Sequence, residues 1–321
     1  MVDFESEMKQ LARKLLTSKT VDKIIGYQQC SSTKETIPLI INDPTLVDNL
    51  VWNSLCDINL ARYVDRADKQ SKIGIIAKGC VSRALIQLIY EKQINRDNIY
   101  IIGLNCGGMV DQRRIKEEVG NKEILEWEET EKEIVVKGKG FEKSFAKDEY
   151  MNYLCKVCKF PVPPIYDELI GGDKPKETIN KNYEDIEEFE GKSPDEKWEY
   201  FSNELKNCIR CYACRQACPL CYCEECFCDQ SQPVWFGKST ELSDTIIFHL
   251  VRSMHLTGRC VACGDCNTVC PVGIDLIPLT RKLEKIVKER FNFTVGLDLE
   301  KVPPLSDFRM DDQEEFMVEE D

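Results

Sequence analysis

Ile73-Gly-Ile-Ile-Ala77, then Lys78-Gly79-Cys80, then Val81 to Lys92, then Ile99-Tyr-Ile-Ile-Gly-Leu104: the reading of this stretch decides the fold of the N-terminal half. The outer runs are short and apolar, as buried strands are, and the segment between them carries helix formers with Leu85, Leu88 and Ile89 on one face. Strand, helix and strand in that order predict a βαβ unit. A right-handed crossover sets its strands parallel and brings both strand ends to one edge of the sheet, where open α/β folds hold their sites. Working outward, Phe4, Met8, Leu11 and Leu15 predict an amphipathic helix over 3–16 packing on this domain. Residues 110–119 read as a further helix, and Ile124 to Glu128 with Glu133 to Val136 as a hairpin.

The expected fold class is therefore an α/β domain over 1–172 with a parallel βαβ unit. Residues 173–197 are charged, carry Pro and Gly and lack large apolar groups, which predicts a linker. A mostly α-helical, cysteine-rich domain is expected over 198–290, and an acidic tail over 291–321 that Phe308 and Phe316 could anchor. The 321 residues include 18 Cys but 2 His, and Lys+Arg 43 against Asp+Glu 56 leave a net charge of -13, an excess that nucleic-acid phosphates would repel. No apolar run is long enough to span a bilayer, and the first residues, Met1-Val-Asp-Phe-Glu, have neither a basic nor an apolar signal region. A reducing cytoplasm is expected, where clustered cysteines are metal ligands or redox groups more readily than disulfides.

One motif occurs twice. Cys208-Ile-Arg-Cys211-Tyr-Ala-Cys214-Arg-Gln-Ala-Cys218-Pro219 and Cys260-Val-Ala-Cys263-Gly-Asp-Cys266-Asn-Thr-Val-Cys270-Pro271 both spell Cys-x2-Cys-x2-Cys-x3-Cys-Pro, the bacterial ferredoxin pattern for [4Fe-4S]. Three close thiolates can wrap three corners of a cubane, and the fourth leaves on a Pro-directed turn toward the other cluster. This predicts one [4Fe-4S] on Cys208, Cys211, Cys214 and Cys270, and a second on Cys260, Cys263, Cys266 and Cys218. The alternative is a pair of zinc knuckles. Between the motifs, Thr245 to Leu256 reads as a helix with Ile246, Ile247, Leu250, Val251 and Met254 largely on one side. The arrangement is similar to the two-cluster α-helical ferredoxin modules of heterodisulfide reductases and succinate dehydrogenases. His249 and His255, on or beside that helix, could tune a cluster by hydrogen bonding; an ordinary helix-surface position is the plainer reading.

Cys80 follows the first βαβ strand and Cys106 the second, so both sulfurs can meet at one crevice. Cys155-Lys-Val-Cys158 adds a Cys-x-x-Cys pair, and Pro161, Pro163 and Pro164 fix a loop after it. Four thiolates would make a third [4Fe-4S]; buried structural cysteines are the alternative. Ala77-Lys-Gly-Cys80, the strand end Ile-Gly-Leu-Asn-Cys106, and Cys155-x-x-Cys158 with Asp167 and Gly171-Gly172 resemble the beta-subunit family of coenzyme F420-reducing hydrogenase and formate dehydrogenase, over roughly residues 20–172. The resemblance implies that Cys80, Cys106, Cys155 and Cys158 hold a cluster beside an FAD that exchanges hydride with the deazaflavin coenzyme. The chain departs from that pattern ahead of the βαβ unit, where Gly26 is the only glycine before Gly74 and no phosphate-contacting glycine run is present. Gly191-Lys-Ser193 and Gly237-Lys-Ser239 lack the upstream glycine of a phosphate loop and read as ordinary loops.

Six cysteines remain. Cys221, Cys223, Cys226 and Cys228 are too dense for a conventional core and could hold an extra metal, as a fourth iron–sulfur cluster or a zinc ion, or cycle between thiol and disulfide; an extra metal site is expected. Cys30 and Cys56 read as buried thiols. Clusters with almost no histidine predict one-electron transfer over acid–base catalysis. The expected protein is an electron-transfer subunit of an anaerobic oxidoreductase complex of the hydrogenase, formate dehydrogenase or heterodisulfide reductase kind, with other subunits of that complex as partners. A flavin-bearing catalytic subunit and a zinc-held scaffold are the alternatives.

Overall fold

The computed structural model describes residues 4–31, 34–64, 68, 70–172 and 183–306. Helix α1 (Phe4–Thr17) buries Met8, Leu11, Ala12, Leu15 and Leu16, the face its spacing predicts. Strands β1 (Lys23–Gln29) and β2 (Thr36–Ile41) pair antiparallel. Strand β3 (Ile73–Ala77) is buried throughout, as an inner parallel strand covered on both faces must be. It leads through α2 (Gly79–Tyr90) to β4 (Ile99–Leu104), and β3 and β4 run parallel with Ala77 opposite Gly103. The βαβ unit is thus formed.

Beyond β4, α3 (Gln112–Glu118) is capped by the Asp111 side chain, which accepts from the backbone of Arg113 and Arg114. Strands β5 (Ile124–Glu129), β6 (Glu133–Gly138) and β7 (Phe141–Ala146) form a separate antiparallel meander around Ile115, Val119, Ile134 and Val136. The predicted hairpin is its first two strands. The short helices α4 (Lys147–Tyr150) and α5 (Tyr153–Lys156) return the chain to the main sheet, where β8 (Glu168–Ile170) completes the order β2-β1-β3-β4-β8.

The expected linker over 173–197 is helical from residue 184. Helices α6 (Glu184–Glu190) and α7 (Pro194–Leu205) carry its acidic residues, Ser193 and Glu196 form a capping box, and Ile186 is buried. Its charges have partners, which explains why a charge-rich stretch folds: Arg281 pairs with Asp185 at 2.9 Å and Lys285 with Glu190 at 2.8 Å. Residues 173–182 lie outside the described residues.

Helices α8 (Ala213–Ala217), α9 (Leu242–His255), α10 (Asp265–Thr268) and α11 (Ile277–Phe291) follow; the regular elements among the described residues after 183 are all helices. The buried face of α9 is not the apolar one expected. Thr245, Phe248, His249, Arg252 and Ser253 point inward, while Ile247, Leu250 and Met254 are 40%, 46% and 60% exposed.

The expected tail is ordered at its start, since Phe293 and Val295 are buried; Phe308 and Phe316 lie outside the described residues. The two halves share one core. Leu220, Leu256, Val261, Val287, Phe293 and Val295 pack into the same apolar cluster as the main sheet. Arg83 of α2, buried, donates to the Val261 and Val295 carbonyls at 2.9 Å each and lies 4.5 Å from the Phe160 ring. No helix among the described residues is long and apolar enough to cross a membrane.

Candidate metal centre

The crevice at the ends of β3 and β4 is a cavity of about 200 Å³ lined by Cys80, Cys106, Cys155 and Cys158, and also by Cys263. Cys80 stands in the first turn of α2, next to Gly79, where any Cβ would sit 1.7 Å from the Phe160 carbonyl oxygen and only glycine fits. Cys106 leaves the end of β4 and its N–H donates to the Pro161 carbonyl at 3.0 Å, tying two sides of the cavity together. Backbone N–H groups also reach the sulfurs, Gly108 to Cys106 and Phe160 to Cys158, both at 3.4 Å. Burial first, and then the Cys106 and Cys158 thiols among its neighbours, pushes the Cys80 thiol up to about 12.

The duplicated motif folds as a duplicated loop. Two residues after the first cysteine and again four after it, the backbone is left-handed: Arg210 and Tyr212 in one copy, Ala262 and Gly264 in the other, with φ of 54°, 60°, 54° and 88°. A short helix then starts one residue before the third cysteine, α8 at Ala213 and α10 at Asp265. Such turns aim N–H groups inward; Arg210 donates to Cys208 Sγ at 3.4 Å, and Ile274 to Cys270 Sγ at 3.3 Å.

The fourth cysteine of each copy lies near thiols of the other. Burial first, and then Cys208, Cys270 and Cys211, raises the Cys214 thiol against the pull of Arg252. Burial likewise leads for Cys266, whose thiol rises to about 12 with Cys260, Cys218 and Cys214 beside it. Cys270 thus lies near Cys208 and Cys214, and Cys218 near Cys260, Cys263 and Cys266, with Cys214 also near Cys266. Cys211 alone of these eight is exposed.

Among the described residues, the donor atoms that converge within 4.8 Å of one another belong to Cys226, Cys228 and Asp229. A tetrahedral ion with bonds of about 2.3 Å needs sulfurs about 3.8 Å apart; among the described residues, no three of the twelve cysteines bring their sulfurs within 4.8 Å of one another. Their surroundings hold buried N–H groups without a protein acceptor. Arg252, 3% exposed, donates Nη2 to the Cys214 carbonyl at 2.8 Å and leaves Nε and Nη1 without one; Arg210 Nε is in the same state. His249, 2% exposed, sets Nε2 3.4 Å from Cys208 Sγ, so it is not a surface histidine; burial, then Arg252 and Arg210, depresses it to about 4, the neutral imidazole. His255 stacks edge-on against Phe227 at 5.2 Å. Thiolates with inward donors fit an anionic iron–sulfur cluster, whose sulfurs accept such bonds.

Three charged groups escape a reading by pattern. Lys78, fully buried, donates to the Cys56 and Asp57 carbonyls, and Tyr27, Cys80, Cys106 and Asp265 around it hold it charged against burial. Asp265 accepts from Asn59 N–H at 2.7 Å across the two halves and keeps Oδ1 unpaired. Arg113 reaches the Cys270 carbonyl at 3.0 Å and that of Thr268 at 2.7 Å. Lys78 and Asp265 betray themselves only by adjacency to cysteines, and Arg252 by a charge in an apolar helix.

The dense set does not close on one point. Cys221 lies beside Cys218, Cys223 is exposed, and Cys226 and Cys228 meet at 3.5 Å. Cys56 is buried as expected, whereas Cys30 is only half-buried.

No family model matches the chain. The F420-dependent formate dehydrogenase subunit beta of Methanocaldococcus jannaschii is 26% identical over an alignment of 359 residues, covering 92% of this chain and 92% of its own. The chain is a homologue of these beta subunits. A second, the F420-dependent formate dehydrogenase 1 subunit beta of Methanococcus maripaludis, is 27% identical over 356 residues, 92% of this chain and 91% of its own. A chain of the xenon-derivatised F420-reducing [NiFe] hydrogenase complex of Methanosarcina barkeri matches 47% of this chain and 58% of its own length at 15% identity, with a TM-score of 0.37.

Proposed function

We propose that this chain is the iron–sulfur electron-transfer subunit of an anaerobic oxidoreductase complex of the formate dehydrogenase kind, and that it works beside a catalytic partner subunit in the cytoplasm. The observation that carries the reading is the continuity of its cysteine groups. Cys263 lines the cavity of Cys80, Cys106, Cys155 and Cys158, and Arg252 lies between Cys214 of one ferredoxin-like group and Cys218 and Cys266 of the other. Each group would hold one [4Fe-4S], which supplies reversible one-electron transfer when bound. The residues do the rest: Lys78 and Arg252 place buried positive charge beside the thiolates, His249 and the loop N–H groups hydrogen-bond their sulfurs, and exposed Cys211 opens one end of the series to a partner. The names of the homologues, beta subunits of formate dehydrogenases, support formate as the ultimate donor or product. Anaerobic purification and reconstitution should yield about twelve irons per chain, and fewer than about eight would overturn the reading.

A second reading, a catalytic subunit with FAD exchanging hydride with the deazaflavin coenzyme, is favoured by the F420-dependent names of the homologues and by Gly107 and Gly108 beside Lys78 in the cavity wall. Against it, about 200 Å³ is below the usual ~300 Å³ lower bound for a ligand pocket. A flavin absorbance band after FAD incubation, with F420-dependent dye reduction, would select it.

A further inference from the structure

Cys223-Glu-Glu-Cys226-Phe-Cys228-Asp229 is the part of the cysteine pattern that the electron path leaves unused. Here the spacing is of another kind. Cys226 Sγ, Cys228 Sγ and an Asp229 oxygen lie within 4.8 Å of one another, with the two sulfurs 3.5 Å apart, close to the ~3.8 Å that one tetrahedral ion imposes. Phe227, between the two cysteines, holds them in place by packing 5.5 Å from Phe236, 6.2 Å from Phe248 and 5.2 Å from His255. Arg215 Nη1 sits 2.8 Å from Cys228 Sγ and 2.6 Å from Asp229 Oδ2.

We infer that Cys226, Cys228 and Asp229 bind a single thiophilic divalent cation of the zinc class, separate from the iron–sulfur groups. With Cys226, Cys228 and Asp229 the charges close: two thiolates and a carboxylate carry −3, Arg215 supplies +1, and a divalent ion neutralises the remainder, while a further thiolate would leave the site at −1. Each thiol that coordinates releases its proton to solvent, and no electron moves. A fourth ligand is at hand in Cys223, which stands at the knuckle spacing Cys-x-x-Cys from Cys226 and lines the same cavity of about 290 Å³. The ion is structural in effect. By fixing Phe227 against Phe248 it braces α9, the helix that presents His249 and Arg252 to the other thiolates.

The test is metal content of the full chain, purified anaerobically from zinc-supplemented cells and dialysed against a chelator. About one zinc per chain is expected in the wild type. Cys226→Ser and Cys228→Ser should lose it and keep their iron, Cys208→Ser should lose iron and keep zinc, and Asp229→Asn should weaken zinc roughly tenfold or more in chelator competition. Zinc absent from the wild type overturns the inference, as does iron lost from Cys226→Ser as fully as from Cys208→Ser, which would put Cys226 in a cluster, or a Cys226–Cys228 disulfide found in its place by mass spectrometry. If the serine variants do not fold, the exposed Asp229→Asn and cobalt-loaded wild type decide the matter: a missing thiolate-to-cobalt absorption overturns the inference. A wild type with zinc but no iron would instead defeat the electron-transfer reading alone.

Discussion

Arg252 spends one N–H on the Cys214 carbonyl and keeps two others buried beside Cys218, Cys221 and Cys266. A fixed cation next to a cluster favours its more negative, reduced state. Arg252→Gln is therefore expected to shift the midpoint potentials of both neighbouring clusters to more negative values, with Arg252→Lys moving them less, as read by EPR-monitored redox titration. Asp57 offers a test of a different kind at the wall of the sheet-edge cavity. Burial raises its carboxyl to about 6, and Lys78 only partly offsets this. The folded value lies above the unfolded one, so the favourable contribution is complete below the ordinary aspartate range and is lost as pH rises through about 6. Asp57→Asn should then stabilise the chain by about 3 kcal/mol at pH 8 and by well under ~1 kcal/mol at pH 4, a difference that thermal melts at the two pH values would reveal. None of these charges was legible as a site residue, because a lone Lys or Arg reads as solvent-facing unless its long-range neighbours are known. The cysteines were legible because their spacing is local.

At the scale of elements, the βαβ unit could be read from the sequence since its periodicity arises from the neighbours it packs on, and the fully buried β3 is the apolar run that burial on two faces demands. Helix α9 could not be read in the same way. Its apolar residues Ile247, Leu250 and Met254 lie outward and its inner face is Phe248, His249 and Arg252, since a helix that lines thiolates must turn hydrogen-bond donors inward. Phe248→Ala should cost about 3–5 kcal/mol, the price of emptying a buried aromatic site, whereas Leu250→Lys should stay within about 0.5 kcal/mol, both measured by chemical denaturation. Equal losses would show that the outward stripe is covered within the chain. The acidic stretch around α6 misled for a related reason: its partners Arg281 and Lys285 lie about ninety residues away.

For the whole molecule, residues of both halves pack into one apolar cluster. Arg83 reaches 178 and 212 residues along the chain for its two carbonyl acceptors, and no local pattern encodes such a contact. A chain ending at Gly172 would expose the apolar surface of α2 that Val261, Phe293 and Val295 cover and strand the Arg83 guanidinium. It is expected to be insoluble or lack cooperative unfolding by circular dichroism, where independent domains would give a folded fragment. The exposure of Cys211 has a consequence for handling and for life in air. Of the twelve cysteines assigned to the electron path, Cys211 is exposed, Cys208 is buried and the other ten are partly exposed, so dissolved oxygen meets the series most readily at Cys211. Oxidative damage should start with the group of Cys208, Cys211, Cys214 and Cys270 and proceed inward, leaving the sheet-edge group intact longest, so that a briefly aerated sample fails first as a conductor to its partner.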